Sequence, residues 1–531
     1  MNWSILRDSP SGFLRMRAAN FRTDSETHHP KADIMTAYSE LSAHFGRIAA
    51  LSNAIGILQW DSDAMMPKGA AGTRADSMAL LQVMRHGLTT DPRIGDWLEE
   101  AGQDDGLGAW ERANLREIRR VWTVETALPA DLVEASSKAI SACEMRWRQA
   151  RAEADFAGLQ PYLAEVLNLQ RQIGAAKGER LGLGAYDALL NDYEPGGRSA
   201  KIDAVFDDLA AFLPGFIREA LDAQARRPSH PAPGGPFAVE RQRALGLRMM
   251  AALGYDFERG RLDVSTHPFC GGADNDVRIT TRYDEADFAK ALMGVLHETG
   301  HALYEQGRPQ AYLGQPVGAA RGMSLHESQS LLMEMQACRS REFIGFAAPL
   351  MRETFGGSGP AWEADSLWRS FTRVEPGFIR VDADEVTYPA HVILRYRLEK
   401  ALIADAMPLS ELPAAWNEGM KALLGVTVPD DRLGCLQDVH WPSGGWGYFP
   451  TYTLGAMTAA QIFDAASKAE PEVLPGIGRG DFAPLLAWLR ANIHGKGSLL
   501  ETDALLTEAT GRPLDASVFK AHLRRRYVEE S

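Results

Sequence analysis

Two histidines four residues apart can both reach one metal ion when the chain between them is helical. This chain carries such a pair in His297-Glu298-Thr299-Gly300-His301. In an α-helix positions i and i+4 share a face, so both imidazoles turn to one side. The surrounding sequence agrees. Phe288, Leu292, Val295, Thr299 and Leu303 repeat at helical spacing, Asp284 is placed to cap the start and Gly307 to mark the end. His297, His301 and Tyr304 fall beside that stripe, on the edge of the buried face. Glu298 follows the first histidine, where a carboxylate can take a proton from a water at the metal instead of binding the metal. The plain alternative is a helix whose two histidines are simply hydrogen-bonded.

A zinc site of this kind needs a third protein ligand and keeps a fourth position for water. Glu305, Glu327 and Glu334 are the downstream candidates. Glu305 lies one turn past His301 on the same helix, so its side chain does not easily fold back onto the same ion. Glu327 stands at the start of an apolar-periodic stretch running to Phe343, and on a second helix packed against the first it would face the ion. Ser324-Leu325-His326-Glu327 also reads as a capping box, in which Glu327 bonds only the backbone of its own helix. Spacing leaves these two readings level.

From Met35 onward the chain reads as helix after helix. Tyr38, Leu41, Phe45, Ile48 and Leu51 keep a helical period, as do Leu132 to Ile140 and Phe156 to Ile173. Short breaks fall at Met66-Pro67-Lys68-Gly69, at Glu194-Pro195-Gly196-Gly197 and from Pro228 to Pro236. One segment departs from the pattern. Between His267 and Tyr283 the pair Gly271-Gly272 precedes the β-rich run Asp276-Val277-Arg278-Ile279-Thr280-Thr281, which predicts a small hairpin just before the metal helix. The expectation is a mainly α fold with a single catalytic domain over 35–531. Residues 1–34 read as a disordered extension, or as an over-called start with Met35 as the true one.

With 45% hydrophobic and 24% charged residues among 531, the composition is that of a globular protein. A net charge of −14 argues against nucleic acid and anionic membrane surfaces as partners. No run of about 18 apolar residues is present to span a bilayer. Cys143, Cys270, Cys338 and Cys435 are far apart in sequence and read as buried free thiols of a reducing compartment.

Several separate blocks together resemble one family. They are Trp60-Asp61 with Met66-Pro67, Tyr193-Glu194-Pro195-Gly196, His267-Pro268-Phe269, Asp276 to Thr280 and His297 to His301. Further on come His326-Glu327-Ser328-Gln329, Ile379-Arg380-Val381-Asp382-Ala383-Asp384 and Gly434 to Trp441. Over roughly residues 35–520 the chain resembles the carboxypeptidase Taq family, the M32 metallocarboxypeptidases. The resemblance implies a large helical, neurolysin-like fold with a deep central groove. It also implies a homodimer, zinc with cobalt as a substitute, and release of single C-terminal residues from peptides with broad preference. Carried over position by position, it makes His297, His301 and Glu327 the metal ligands and Glu298 the general base.

The remaining chemistry assigns further residues. A tetrahedral oxyanion needs donors beyond the metal, and by resemblance to related helical peptidases His440 and Tyr452 suit that task, with Tyr448 as the alternative tyrosine. An exopeptidase also needs a cation for the free carboxylate, and arginine binds it bidentately. Arg380 is the first choice and Arg278 the second. Their structural alternatives are pairing with Asp382 or Asp384, and with Asp276. His267 would shape the pocket or brace the hairpin; Tyr388 and His391 would line the groove or pack against the metal helix. The expectation is thus a cytoplasmic carboxypeptidase acting on peptides with free C-termini. Its rivals are a zinc oligoendopeptidase or dipeptidyl carboxypeptidase on the same scaffold, and a catalytically dead binding protein.

Overall fold

The computed structural model describes residues 36–227 and 230–530. The expectations for residues 1–34 and Met35, and for the first two positions of the Pro228–Pro236 loop, lie outside the described residues. Twenty α-helices and three short strands occur among those described, as the long helical periodicities predict. None of these helices is long and apolar enough to cross a membrane. Eight elements frame the site: helix α1 (Ala37–Ala64), strands β1 (Gly260–Val264), β2 (Cys270–Ala273) and β3 (Asp276–Thr281), and helices α2 (Phe288–Gly307), α3 (Met323–Leu331), α4 (Tyr388–Ile403) and α5 (Pro450–Ala469).

The predicted hairpin is present: β2 and β3 pair antiparallel from Cys270↔Ile279 to Ala273↔Asp276. Its turn places Asn275 at φ 59°, a left-handed conformation that asparagine tolerates. A third strand was not anticipated. β1 pairs parallel to β3, giving the order β1-β3-β2. Its five residues, Gly260 to Val264, are too few to stand out beside the preceding helix. The sheet serves the metal helix directly, because Leu262, Val277 and Ile279 pack against Val295 and Ala302 of α2.

The other side of α2 enters the main core. Leu296, Leu303 and Tyr304 join Leu325 and Leu331 of α3, Val392 and Ile393 of α4, and Leu454 and Met457 of α5. Burying each such side chain is worth about 1.5–3 kcal/mol, so α2 is fixed along its length by apolar contact on two sides. At its start, Asp287 and not Asp284 is the cap: the Asp287 carboxylate accepts from the backbone N–H groups of Ala289 and Lys290, while Asp284 accepts from Ala286. Both aspartates precede the same apolar stripe, and three residues of register separate them.

Helix α3 has only nine residues, too few to be stable alone. It is held between α2 and α5, and a glycine marks each close approach. A β-carbon on Gly300 would lie 2.3 Å from the carbonyl oxygen of Gln329, and one on Gly455 would lie 2.8 Å from Cβ of Glu327. The capping box does not form. The cap position is Gly322, in the left-handed region at φ 52°, and Ser324 is already inside the helix. The stretch expected to run to Phe343 is also divided. After Leu331 the backbone widens into a π-helical turn, Leu332–Ala337, and a new helix begins at Arg341 with Ser340 as its cap. All four cysteines are free; Cys143, Cys338 and Cys435 are buried, whereas Cys270 is only partly so.

Candidate metal centre

His297 and His301 project from the same face of α2, and Glu327 of α3 faces both. Their ligating atoms all lie within 4.8 Å of one another. Glu327 Oε2 is 3.5 Å from Nε2 of His301 and 4.0 Å from Nε2 of His297. Ligands about 2.0–2.1 Å from a tetrahedral zinc stand ~3.3 Å apart, so a small contraction would close this set on an ion. The donor chemistry fits as well: two imidazoles and one carboxylate suit a divalent transition metal.

The other two candidate glutamates have different employment. Glu334 Oε2 meets Nδ1 of His297 at 3.0 Å, and the same carboxylate pairs with Arg339. Glu305 Oε1 meets Nε2 of His326 at 2.9 Å, and its other oxygen pairs with Arg308 at 2.8 Å. His326 in turn stands beside His301, with its backbone oxygen 3.1 Å and its Nδ1 2.7 Å from Nδ1 of His301. With Nε2–H of His326 given to Glu305, both of these atoms act as acceptors, and Nδ1 of His301 carries the proton. Each histidine therefore spends Nδ1 on an acceptor and keeps Nε2 for the common centre, the arrangement that orients metal-binding imidazoles.

The electrostatics follow from burial among carboxylates. Desolvation opposes charge on His297, yet its bond to Glu334 and the nearby Glu327 and Glu298 raise it to about 10 in the metal-free protein. Burial wins at His301, lowered to about 4. Burial also opposes charge on Glu327, but the close approach of His301 and the charge of His297 take it down to about 2. Glu298, 6% exposed and beside the cluster, is pushed up to about 7, chiefly by burial.

A second group of side chains stands near this cluster. His440 Nε2 and the Tyr452 hydroxyl are 3.1 Å apart. Burial holds His440 down to about 4, so its ring is neutral, and lifts Tyr452 to about 12, so its hydroxyl stays protonated. Tyr448 and Tyr388 pack edge-on to Tyr452 at 5.1 and 6.2 Å. All three tyrosines lie within electrostatic reach of Glu327.

Arg380 stacks over the Tyr452 ring at 4.6 Å. It pairs with neither Asp382 nor Asp384. Its Nε and Nη2 donate to Asp438 Oδ1 at 3.2 and 3.1 Å, and Nη1 has no protein partner among the described residues. Asp438 also receives Nε of Arg395 at 2.6 Å. Two buried guanidinium groups thus share one carboxylate, leaving one positive charge uncompensated. Arg278 is placed otherwise: it forms a two-point pair with Asp276 at 2.8 and 2.6 Å and lies over Trp60. His267 is exposed on the loop before β2. His391 is fully buried in α4 and packs in the core.

Comparison with known proteins settles the family. Residues 40–527 match the model of the carboxypeptidase Taq (M32) metallopeptidases. This chain belongs to that family. It is 39% identical over 505 residues to thermostable carboxypeptidase 1 of Thermus thermophilus, covering 93% of this chain and 98% of the relative. It is 32% identical to carboxypeptidase 1 of Bacillus subtilis, covering 93% and 99%. The solved structure of Trypanosoma cruzi metallocarboxypeptidase 1 superposes with a TM-score of 0.91 at 42% identity, covering 92% of this chain and 99% of that one. The protein is therefore a metallocarboxypeptidase with a mainly α metallopeptidase fold.

Within this M32 enzyme, the structure brings forward residues that sequence reasoning missed. Asp438 lies inside the Gly434–Trp441 block without having been given a role, although it ties Arg380 to Arg395. His326 precedes Glu327 in a block that carries the family resemblance, but its part in orienting His301 is not legible there. The signal for Glu334 was present, since its chemistry made it a ligand candidate, but sequence spacing does not separate a metal ligand from a residue that orients one.

Proposed function

We propose that this enzyme is a zinc-dependent carboxypeptidase that releases single C-terminal residues from peptides with broad preference, cobalt being able to replace zinc. The observation that carries the reading is the cluster of Arg380, Asp438 and Arg395 beside Tyr452. Its surplus positive charge is buried, and a substrate carboxylate is the group that would balance it.

The proposed division of labour follows the geometry. His297, His301 and Glu327 hold the metal, which when bound supplies a Lewis acid and a water acidified to a pKa of about 7. Glu298 takes a proton from the attacking water and delivers it to the departing amine nitrogen. The Tyr452 hydroxyl and the N–H of neutral His440 donate to the developing oxyanion, with Tyr448 as the neighbouring alternative. Arg380 holds the C-terminal carboxylate through its unengaged Nη1. Arg278, already satisfied by Asp276, is the weaker candidate for that role, and exposed His267 is left to shape the rim. A homodimer rests on the family resemblance and cytoplasmic residence on the four cysteines read as free thiols; sedimentation and cell fractionation test them.

The test is a time course on short peptides, each supplied as free acid and as C-terminal amide, read by mass spectrometry. Stepwise loss of single residues from the free acids alone supports the reading. Internal cuts or dipeptide release, with amides accepted, would assign the scaffold to an oligoendopeptidase or dipeptidyl carboxypeptidase instead. Glu298→Gln should retain metal and lose turnover; persistent turnover in that variant refutes the general base.

A further inference from the structure

We infer that Glu194 is a positioning residue for the metal centre: it anchors the start of α3 and thereby sets where Glu327 stands. The inference rests on the reading of Glu327 as the third ligand. Glu194 is 133 positions away in sequence and belongs to the turn Glu194-Pro195-Gly196-Gly197, which closes the helix Ala185–Tyr193. Its side chain is buried, at 6% exposure. Oε2 accepts the backbone N–H of Ser324 at 3.1 Å, and Oε1 accepts the Thr502 hydroxyl at 3.2 Å.

A helix start leaves several backbone N–H groups without partners, and here they are buried with the helix. A local cap is not available, because the cap position is Gly322, which has no side chain. The positive φ of Gly322 turns the chain so that the remote carboxylate takes the cap's place. A β-carbon there would lie 3.2 Å from both carboxylate oxygens. The carboxylate also carries the favourable sign for a helix N-terminus.

The same turn holds the chain a second time just before α3. Arg321 Nη2 donates to the Pro195 carbonyl at 3.2 Å, and Nη1 pairs with Glu117 at 2.7 Å. From Ser324 to Glu327 is three residues, a rise of about 4.5 Å along the axis. An anchor this close sets both the height and the rotation of the Glu327 side chain. Gly300 and Gly455 set the helix sideways, since α2 and α5 touch it at those residues. The side-chain bonds of His326 to Glu305 and of Gln329 to His494 hold the middle of α3, and the bond to Glu194 fixes its first turn along the axis.

Metal affinity is the readout, because an anchor that only stabilised the fold would leave it unchanged. Zinc affinity is measured by competition with a chromogenic chelator for the full-length wild type, Glu194→Ala, Glu194→Asp, Glu194→Gln, Thr502→Val and Glu327→Gln, with thermal melting of each metal-free protein alongside. Glu194→Ala should weaken zinc on the order of tenfold to a hundredfold, the range for partners that orient metal ligands. Glu194→Asp, one methylene short of Ser324, should weaken it in the same direction and serves if the alanine variant does not fold. Glu194→Gln keeps an acceptor oxygen at that distance and should bind within a few-fold of wild type. Thr502→Val, which spares the Ser324 contact, should match wild type. Unchanged affinity in Glu194→Ala or Glu194→Asp, with only the melting temperature lowered, overturns the inference. Unchanged affinity in Glu327→Gln refutes the ligand reading itself, and is distinguishable because Glu194 is intact there.

Discussion

Glu334 Oε2 lies 3.0 Å from Nδ1 of His297, and this contact decides which nitrogen of that ring is left for a metal. The carboxylate is itself held by Arg339 and is carried on the π-helical turn that follows α3. Removing it frees the ring to rotate and leaves Arg339 without its partner. Glu334→Ala should therefore retain zinc on the order of tenfold to a hundredfold less tightly than wild type. Glu334→Gln, which keeps an acceptor, should fall between the two. Metal content after dialysis against graded chelator measures this, and equal retention in all three proteins would show that Glu334 does not orient the ligand.

Arg380 is the test of substrate-end recognition. A lysine at this position keeps the charge but cannot engage Asp438 and a carboxylate together through a rigid planar fork. Losing hydrogen bonds to a charged group is worth about 1.5–3 kcal/mol, so Arg380→Lys should lower kcat/KM for free-acid peptides by roughly 10- to 150-fold. The preference for free acid over amide should shrink by a similar factor. Should that preference survive in full, the carboxylate is held elsewhere.

What the sequence made legible, and what it did not, follows the range over which each signal acts. The spacing of His297 and His301, the apolar stripe of α2 and the β-rich run before it are local, and all are found in the structure. The run to Phe343 reads as continuous because nearly every residue of the π-helical turn is buried, so apolar side chains carry on through it while the backbone hydrogen bonds change. The start of α3 stays open in the sequence for a different reason. Ser324 and Glu327 have the right spacing for a capping box, but burial brings Glu194 to the same backbone N–H from a distant turn. Arg380 posed the same difficulty: two aspartates close in sequence were plausible partners, and the actual one, Asp438, arrives from another loop. Local chemistry was readable; the choice among equally suitable partners needed the fold.

Glu399 gives the pH prediction. It is fully buried in α4, accepting from the Tyr186 hydroxyl at 2.5 Å and from Nε1 of Trp441 at 3.1 Å, next in sequence to His440. Burial pushes its carboxyl up to about 7, and these hydrogen bonds offset that only in part. An unfolded glutamate titrates near 4.3, so between about pH 4.3 and about 7 the folded state holds a proton that the unfolded state has released. Stability from this group therefore falls as pH rises through that window and is level on either side. Glutamine cannot ionise, so Glu399→Gln loses whatever its altered hydrogen bonds cost at every pH but escapes the pH-dependent part. Relative to wild type, the variant should gain stability between pH 5 and pH 8, by at most about 3 kcal/mol. Urea denaturation of both proteins at the two pH values measures the change, and a stability difference independent of pH would mean that Glu399 is ionised in the fold throughout the range.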